Sequence, residues 1–286
     1  MRSKAGGLVF GLVCAMALGA GPSPAQQNAN RLIPAPTAKQ WADLAKLPDW
    51  SGTWTPDEHD QHAQTEAQRY GHPSTNPIPW NASAAKQIVQ QRAESSAGRP
   101  RLIFFGCLPL GMPSMMMVNH NAMEILMTPS RVTILGEVDG NRLRRIYTDG
   151  SRHPEDPDLS FDGHSIGHWE GDTLVVDTVA VLPQSFIAEG EGVAMPNNGG
   201  MHIVERIHLT GPNELHDDMV ITAPKVLSKP YRTTRIWYRH REAGFGIQEG
   251  VCQQGEFRAA KDKFGNDIFV PLPHDILGAP VPAANK

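Results

Sequence analysis

From about residue 103 to residue 252 apolar and polar side chains alternate with the period of a strand, and Pro, Gly, Asp or Asn interrupt the alternation at short intervals. The pattern predicts strands over 122–128, 131–138, 141–148, 163–178 (as a hairpin), 201–210, 215–222, 231–240 and 246–252, with turns at Pro129-Ser130, Asp139-Gly140 and Gly211-Pro212-Asn213. That is a mainly β chain, an antiparallel meander rather than a βαβ protein, and a sheet of roughly nine or ten strands curls shut or folds onto itself. Before it, residues 26–98 are rich in Pro, Ala, Gln and His. They read as an irregular, partly helical wrapping segment with helical patches at 37–42 and 84–93 and a first strand at 50–55. The β domain is assigned to 99–262 and an extended tail, with Pro271, Pro273, Pro280 and Pro282, to 263–286.

The densest chemistry lies in the hairpin at 163–178. If Gly171-Asp172 is a two-residue turn, Glu170 pairs with Thr173, His168 with Val175 and Ile166 with Asp177. His164, His168, Glu170 and Asp177 then share one face, and Trp169, Leu174 and Val176 the other. Asp177 is diagonal to both imidazoles. Two readings of this face stand: a solvated polar surface over a Trp/Leu/Val core, or a proton-transfer site, since imidazole titrates near neutrality and a carboxylate fixes its tautomer.

Sorting the neighbouring hairpin about Asp139-Gly140, with Val138 opposite Asn141, puts Arg145 and Tyr147 on the apolar face with Val132, Ile134 and Leu143. A buried guanidinium needs an acidic partner or an anionic or carbonyl ligand. Three acids also fall on apolar faces: Glu205 with Ile203 and Ile207, Glu249 with Ile247 and Val251, and Glu124 with Ala122 and Leu126. One inward acid is an ordinary structural ion pair; several on one curved sheet predict a polar interior. The loop after Tyr147, with Asp149, Arg152, His153 and Glu155, reads either as a rim over a barrel mouth or as a plain turn. Met115-Met116-Met117 reads as core filler or soft ligand lining.

Residues 1–25 carry Arg2 and Lys4, an apolar run from Leu8 to Leu18, and Ser23-Pro24-Ala25, the pattern of a cleaved secretory signal ending near Ala25, which implies a periplasmic or secreted protein. The run is too short for a membrane span, and none follows it. Cys107 and Cys252 remain, read for an oxidising compartment as a disulfide worth roughly 4–5 kcal/mol in the chain-entropy model. A net charge of -4 with scattered Lys and Arg gives no footprint for nucleic acid. There is no Gly-x-Ser-x-Gly elbow, no dinucleotide fingerprint and no His-Glu-x-x-His. Although the chain has 12 histidines, two of them four apart on a flat strand sit roughly 13 Å apart. No metal and no cofactor is therefore expected, with His153, His202 and His208 the only further ligands weighed.

Taken together, Trp50-Ser51-Gly52-Thr53-Trp54, Arg144-Arg145-Ile146-Tyr147-Thr148-Asp149-Gly150 with His153-Pro154, the hairpin from Gly163 to Thr178, and Val204-Glu205-Arg206 resemble a family of exported proteins of Gram-negative bacteria. That resemblance implies export and assigns no catalytic residues. Gly52-Thr53-Trp54 is also similar, locally, to the first strand of lipocalins and avidins, which implies a calycin-like barrel. The expected function is acid–base chemistry (a lyase, isomerase or hydrolase) on a small apolar or aromatic molecule in the barrel, using His164 or His168, Asp177, Arg145 and Tyr147. Asp149, His153, Trp169, Glu205 and Glu124 would contact the substrate. The alternatives are a non-catalytic binding protein of calycin type and a structural or envelope protein. Oligomeric state is open.

Overall fold

The structure, a computed structural model, describes residues 35–64, 74–98, 109–117, 121–190 and 192–250, together with two backbone segments, 257–261 and 267–271. Residues 38–286 form one compact unit, separate from residues 1–37. The signal segment, Cys107 and Cys252 lie outside the described residues.

Nine strands make a closed barrel. In ring order they are β1 (Thr53–Pro56), β11 (Tyr231–His240), β10 (Glu214–Thr222), β9 (His202–Gly211), β6 (Thr173–Val179), β5 (His164–Glu170), β4 (Arg142–Tyr147), β3 (Arg131–Gly136) and β2 (Met123–Thr128), which pairs back to β1. The meander expected from the turn signals accounts for β2–β3–β4, β5–β6 and β9–β10–β11. One pair departs from it: β4 and β5 run parallel, through Ile146↔Ser165 and Tyr147↔Ile166, because residues 148–163 cross over instead of turning back. A second hairpin, β7 (Phe186–Gly190) with β8 (Val193–Pro196), leaves the ring between β6 and β9. The expected strand at 246–252 is irregular over its described part. Asp267–Pro271 (β13), within the stretch read as an extended tail, pairs with Phe257–Lys261 (β12).

The barrel fills from its inner face. Ile134, Ile146, Leu174, Val176, Ile203, Ile207, Leu215 and Met219 are all buried at even spacing along their strands, the period-two pattern of a half-wet sheet. Trp54, Trp237 and Trp50 are buried with them, and the ring of Trp50 meets that of Trp169 at 5.1 Å. Trp169, expected to touch substrate, is partly buried and packs against the core. The Arg239 guanidinium lies 4.4 Å over the Trp54 ring.

Helices pack around the ring. Ala38–Leu44 (α1) and Glu58–Gln64 (α2) flank β1, and Ser114–Met117 (α4) buries its three methionines against the core. Ala82–Ser96 (α3) starts where the Asn81 side chain accepts from the amides of Ser83 and Ala84, satisfying two donors the helix cannot. It buries Ala84, Ile88 and Gln91, one face at helical spacing, beside β8. A clamp holds it there: Arg92 donates Nε to Glu189 Oε2 at 2.8 Å and Nη2 to Oε1 at 2.6 Å, and Trp80 Nε1 donates to the same carboxylate at 2.7 Å.

The seam of the ring is unusual. β1 covers only the second half of β11, from Trp237 to His240. Beyond Pro56 the edge of β11 is met by one amide and three side chains: Asp57 N–H and Gln61 Nε2 donate to Ile236 O, Gln64 Nε2 to Thr234 O, and Asn76 Nδ2 to Arg232 O. Amide side chains here do the work of a missing strand, covering an edge that would otherwise be free to pair.

Candidate functional site

The Gly171-Asp172 hairpin has the register expected of it: His164↔Val179, Ile166↔Asp177, His168↔Val175 and Glu170↔Thr173. Leu174, Val176, Ser165 and Thr178 point inward and are buried, so the histidine face is the outer wall of the barrel. The site expected inside the cavity is therefore divided between two places.

On the outer wall, four of the expected residues converge. His153 arrives from the crossover loop, and its Nδ1 lies 2.8 Å from His164 Nδ1 while its Nε2 lies 3.1 Å from Asp177 Oδ1. The ring of Tyr147 stacks on that of His164 at 5.4 Å. A residue weighed only as a possible metal ligand, His202 at the start of β9, places Nε2 3.0 Å from the same Asp177 oxygen. Asp177 thus meets His164 through His153 rather than across the hairpin diagonal. Burial, with His153 second, pulls the His164 imidazole below its ordinary value. His168 does not join this group: it is exposed and lies 3.1 Å from Glu170, which in turn accepts from Arg206 at 2.9 Å. Asp149 is also exposed and accepts from the Ser151 amide; the Ser151 hydroxyl first, with that amide, holds its carboxyl below the usual range.

Arg145 is corrected. The loop between β3 and β4 is not the two-residue Asp139-Gly140 turn. Gly136 pairs with Arg142, and the chain from Glu137 to Asn141 forms a helical turn (α5, Val138–Asn141) with Gly140 and Asn141 at φ 79° and 58°. Five residues in place of two shift the register by one, which exchanges the two faces of β4. Arg145 is exposed, Leu143 is 43% exposed, and Arg144 is the buried guanidinium. Glu124 is corrected in the same sense. Met123 and Ile125 take the inner face of β2, leaving Glu124 half-buried on the outer one, where its Oε1 accepts from Thr53 Oγ1 at 3.3 Å. Glu249 sits on the irregular segment after β11.

The barrel interior carries the polar layer that the inward acids implied. Arg144 donates Nη1 to Glu205 Oε1 at 2.8 Å and Nη2 to Glu205 Oε2, and Nη2 also reaches Thr178 Oγ1 at 3.1 Å and Ser165 Oγ at 3.3 Å. Both charged partners are at most 1% exposed. Two further ionisable groups that the sequence reading passed over lie in the same layer: Asp217 on β10 and Arg235 on β11, directly opposite each other and fully buried. Their signal was available, since Asp217 alternates with Leu215 and Met219, and Arg235 with Thr233 and Trp237.

This second pair is not an ion pair. Neither oxygen of Asp217 has a hydrogen-bond partner, and Arg235 keeps Nε and Nη2 unpartnered while Nη1 donates to Gln61 Oε1 at 3.3 Å. Burial first, then the nearby Glu205, pushes the Asp217 carboxyl well above its ordinary value, and burial pulls the Arg235 guanidinium down. The indole Nε1 of Trp237, two residues along the same face, is also unpartnered. Free Nε and Nη2 define one straight edge of a guanidinium, the edge with which Arg92 grips Glu189 elsewhere in this chain.

Fold and site together define a closed β-barrel with a charged interior layer and an imidazole–carboxylate cluster on its outer wall. Among solved structures the chain is similar to a mutant of the fluorescent protein UnaG, at 12% identity and a TM-score of 0.30, over 68% of this chain and 97% of that one. No protein-family model matches the chain, and no curated protein matches it.

Proposed function

We propose that this is a small-molecule-binding protein whose ligand enters the barrel and presents a carboxylate or similar oxyanion, on an otherwise apolar or aromatic body, to Arg235. The observation that carries the proposal is the unpartnered Nε/Nη2 edge of Arg235, buried beside an Asp217 carboxyl that burial pushes well above its ordinary value. A buried guanidinium left without acceptors costs several kcal/mol by a rough reckoning, and a bidentate oxyanion removes that cost. Buried Trp237, two residues along the same face of β11, supplies apolar surface next to the guanidinium.

Binding is preferred to catalysis because the groups suited to proton transfer stand on the outer wall, where the Asp177 side chain is 43% and that of His202 44% exposed. Water is not excluded there, and a general base in open solvent gains little over buffer. The leader-like residues 1–25 add an exported location to the proposal.

The test compares benzoate and octanoate with their uncharged amides by calorimetry and thermal shift, using the native chain and Arg235→Met. The proposal expects at least one carboxylate to bind and raise the melting temperature, its amide to fail, and Arg235→Met to abolish the difference. Acid and amide binding alike, or Arg235→Met binding the acid as the native chain does, overturns it.

A further inference from the structure

We infer that the crossover between β4 and β5 is a strap latched to the outer wall by the His153–His164 imidazole pair, and that mild acid unlatches it. The inference is independent of the barrel ligand. It starts from how the strap is tied. Its two feet are fixed by backbone: the Thr148 amide donates to Ser130 O at 2.8 Å, the Ser160 amide donates to Ala180 O at 3.1 Å, and Ser160 O accepts from the Leu182 amide at 2.8 Å. Between the feet, over residues 149–159, the hydrogen bonds and ion pairs to the rest of the barrel, among the described residues, are those of His153 alone. The bond from the Ser151 amide to Asp149 stays within the strap. Burial adds little, since Arg152 and Pro154 are exposed on either side of His153 and Leu159, the large apolar side chain of the span, is 57% exposed. The His153 side chain, at 20%, is the part held against the wall.

A count of protons decides whether it stays there. Two neutral imidazoles carry two protons on four ring nitrogens. One is on His153 Nε2, 3.1 Å from Asp177 Oδ1, and the other lies between the two Nδ1 atoms, 2.8 Å apart. A third, taken from solvent, fits on His164 Nε2, which has no partner among the described residues, and breaks no bond. A fourth leaves both Nδ1 atoms protonated, so that two N–H groups face each other and two imidazolium charges meet. The Nδ1–Nδ1 hydrogen bond is then lost. His153 keeps only the half-exposed Asp177 carboxylate, whose same oxygen also faces His202 Nε2 at 3.0 Å, and a charge pair in water holds weakly.

The surroundings set the direction of the response. Burial first, then His153, pulls the His164 imidazole below its ordinary value near 6.5. The latched form therefore binds fewer protons than the open one, is fully favoured above that ordinary value, and is lost as pH falls below it. Asp177 and His202 face the pair from β6 and β9, and Tyr147 faces it from β4, with Arg145 and, on β3, Arg131 exposed along the same wall. His168, Glu170 and Arg206 make a separate exposed group farther along β5 and β9. The strap adds exposed Asp149, Arg152, Glu155, Asp156 and Asp158. Carboxylates, guanidinium groups and phenols ordinarily keep their charge between pH 7 and pH 5, which leaves the imidazoles to respond. Asp162, pushed up by burial and bonded to Arg142, lies beyond the Ser160 foot and ties that foot, not the strap.

The test is cleavage at Glu155 by a Glu-specific protease in the full mature chain at pH 7 and pH 5, each rate divided by that of a free peptide of residues 148–160. Linkage permits up to about tenfold for each pH unit and proton, so the corrected rate should rise roughly tenfold or more at pH 5. The fluorescence of buried Trp54 and Trp237 should not change. His164→Phe keeps a ring against Tyr147 and removes the facing nitrogen, so a protonated His153 meets Asp177 without opposition and the rise should vanish. His164→Asn, smaller and polar, should give the same result and serves if the Phe variant lowers the melting temperature. His168→Ala, four residues along the same strand face, should keep the full rise. Equal corrected rates at the two pH values in the native chain overturn the inference, as does a rise that survives in the His164 variants. A rise accompanied by cleavage at buried Glu205 on β9 also overturns it, because that marks unfolding of the barrel and not release of the strap.

Discussion

Replacing Arg144 by Met removes the cation that neutralises Glu205 at the centre of the barrel. Met keeps most of the stem volume, so packing changes little, and the electrostatic consequence can be isolated. Glu205, 0% exposed, then has two courses. Remaining ionised without its partner costs about 3–5 kcal/mol. Taking up a proton at pH 7 costs a carboxyl of ordinary pKa near 4.3 about 3.7 kcal/mol, from 2.7 pH units at about 1.36 kcal/mol each, which caps the penalty. The variant should therefore be about 3–4 kcal/mol less stable at pH 7, and its deficit should shrink by about 1.4 kcal/mol for each unit that pH falls toward 5, because the folded variant holds a proton that the unfolded chain has lost. Urea unfolding followed by the fluorescence of buried Trp54 and Trp237, with circular dichroism as a check on two-state behaviour, measures both. The double variant Arg144→Met/Glu205→Leu should recover most of the loss, since a buried ion pair replaced by apolar groups is close to neutral. A single-variant deficit under about 1 kcal/mol, or one that does not change between pH 5 and pH 8, would refute the assignment of Glu205 as a desolvated carboxylate dependent on Arg144.

Asp217→Asn tests the other half of the layer: because the native carboxyl is raised, its contribution is fully present below the unfolded value near 3.8 and is lost as pH rises through the folded value, so the variant should gain on the native chain with rising pH in parallel urea titrations. Gly163→Ala should cost about 3 kcal/mol or more, since φ is 69° and a Cβ would stand 2.6 Å from Val179 O, whereas Gly150→Ala, at φ 78° with open space around it, should cost only the backbone term of about 1–2 kcal/mol; equal melting temperatures for the two would contradict the packing. Arg92→Met should loosen α3 from β7 by stripping two of the three hydrogen bonds on buried Glu189, seen as faster proteolysis within 82–98 at unchanged barrel fluorescence.

The parts of the fold that could be read from the chain are those fixed by short-range chemistry. Gly171-Asp172 imposes a two-residue turn, so the whole β5–β6 register follows from it. The β3–β4 register failed on the same logic because Gly140 and Asn141 both adopt positive φ within a five-residue loop, and nothing in Asp139-Gly140 distinguishes that loop from a hairpin turn. A slip of one then made Arg145 look buried and Arg144 wet. On β2 both faces are rich in apolar residues, so alternation alone could not tell the Met123/Ile125 face from the one bearing Glu124 and the 51%-exposed Leu126. Glu205 was legible because Ile203 and Ile207 flank it. The meeting of His153, Asp177 and His202 was not, because it depends on a parallel crossover and on β9 bypassing β7 and β8 to reach β6, choices made by tertiary packing.

The seam between β1 and β11 also sets the order in which the ring can be completed. Thr55 Oγ1 lies 2.8 Å from His240 Nε2 across a sequence separation of 185 residues, while the pairs β2–β3, β5–β6 and β9–β10 join neighbours in the chain. β1 thus meets one ring neighbour, β2, across 71 residues and the other, β11, only across 185, so closure waits on the β1–β11 pair. Until then the hydrogen-bonding edge of β11 stands open, and a chain clipped just after Pro56, which loses β1, would leave the edges of β2 and β11 both open, able to join another copy edge to edge. The Gln61, Gln64 and Asn76 side chains close across separations of 175, 170 and 156 residues, so the latch on β11 forms together with the seam.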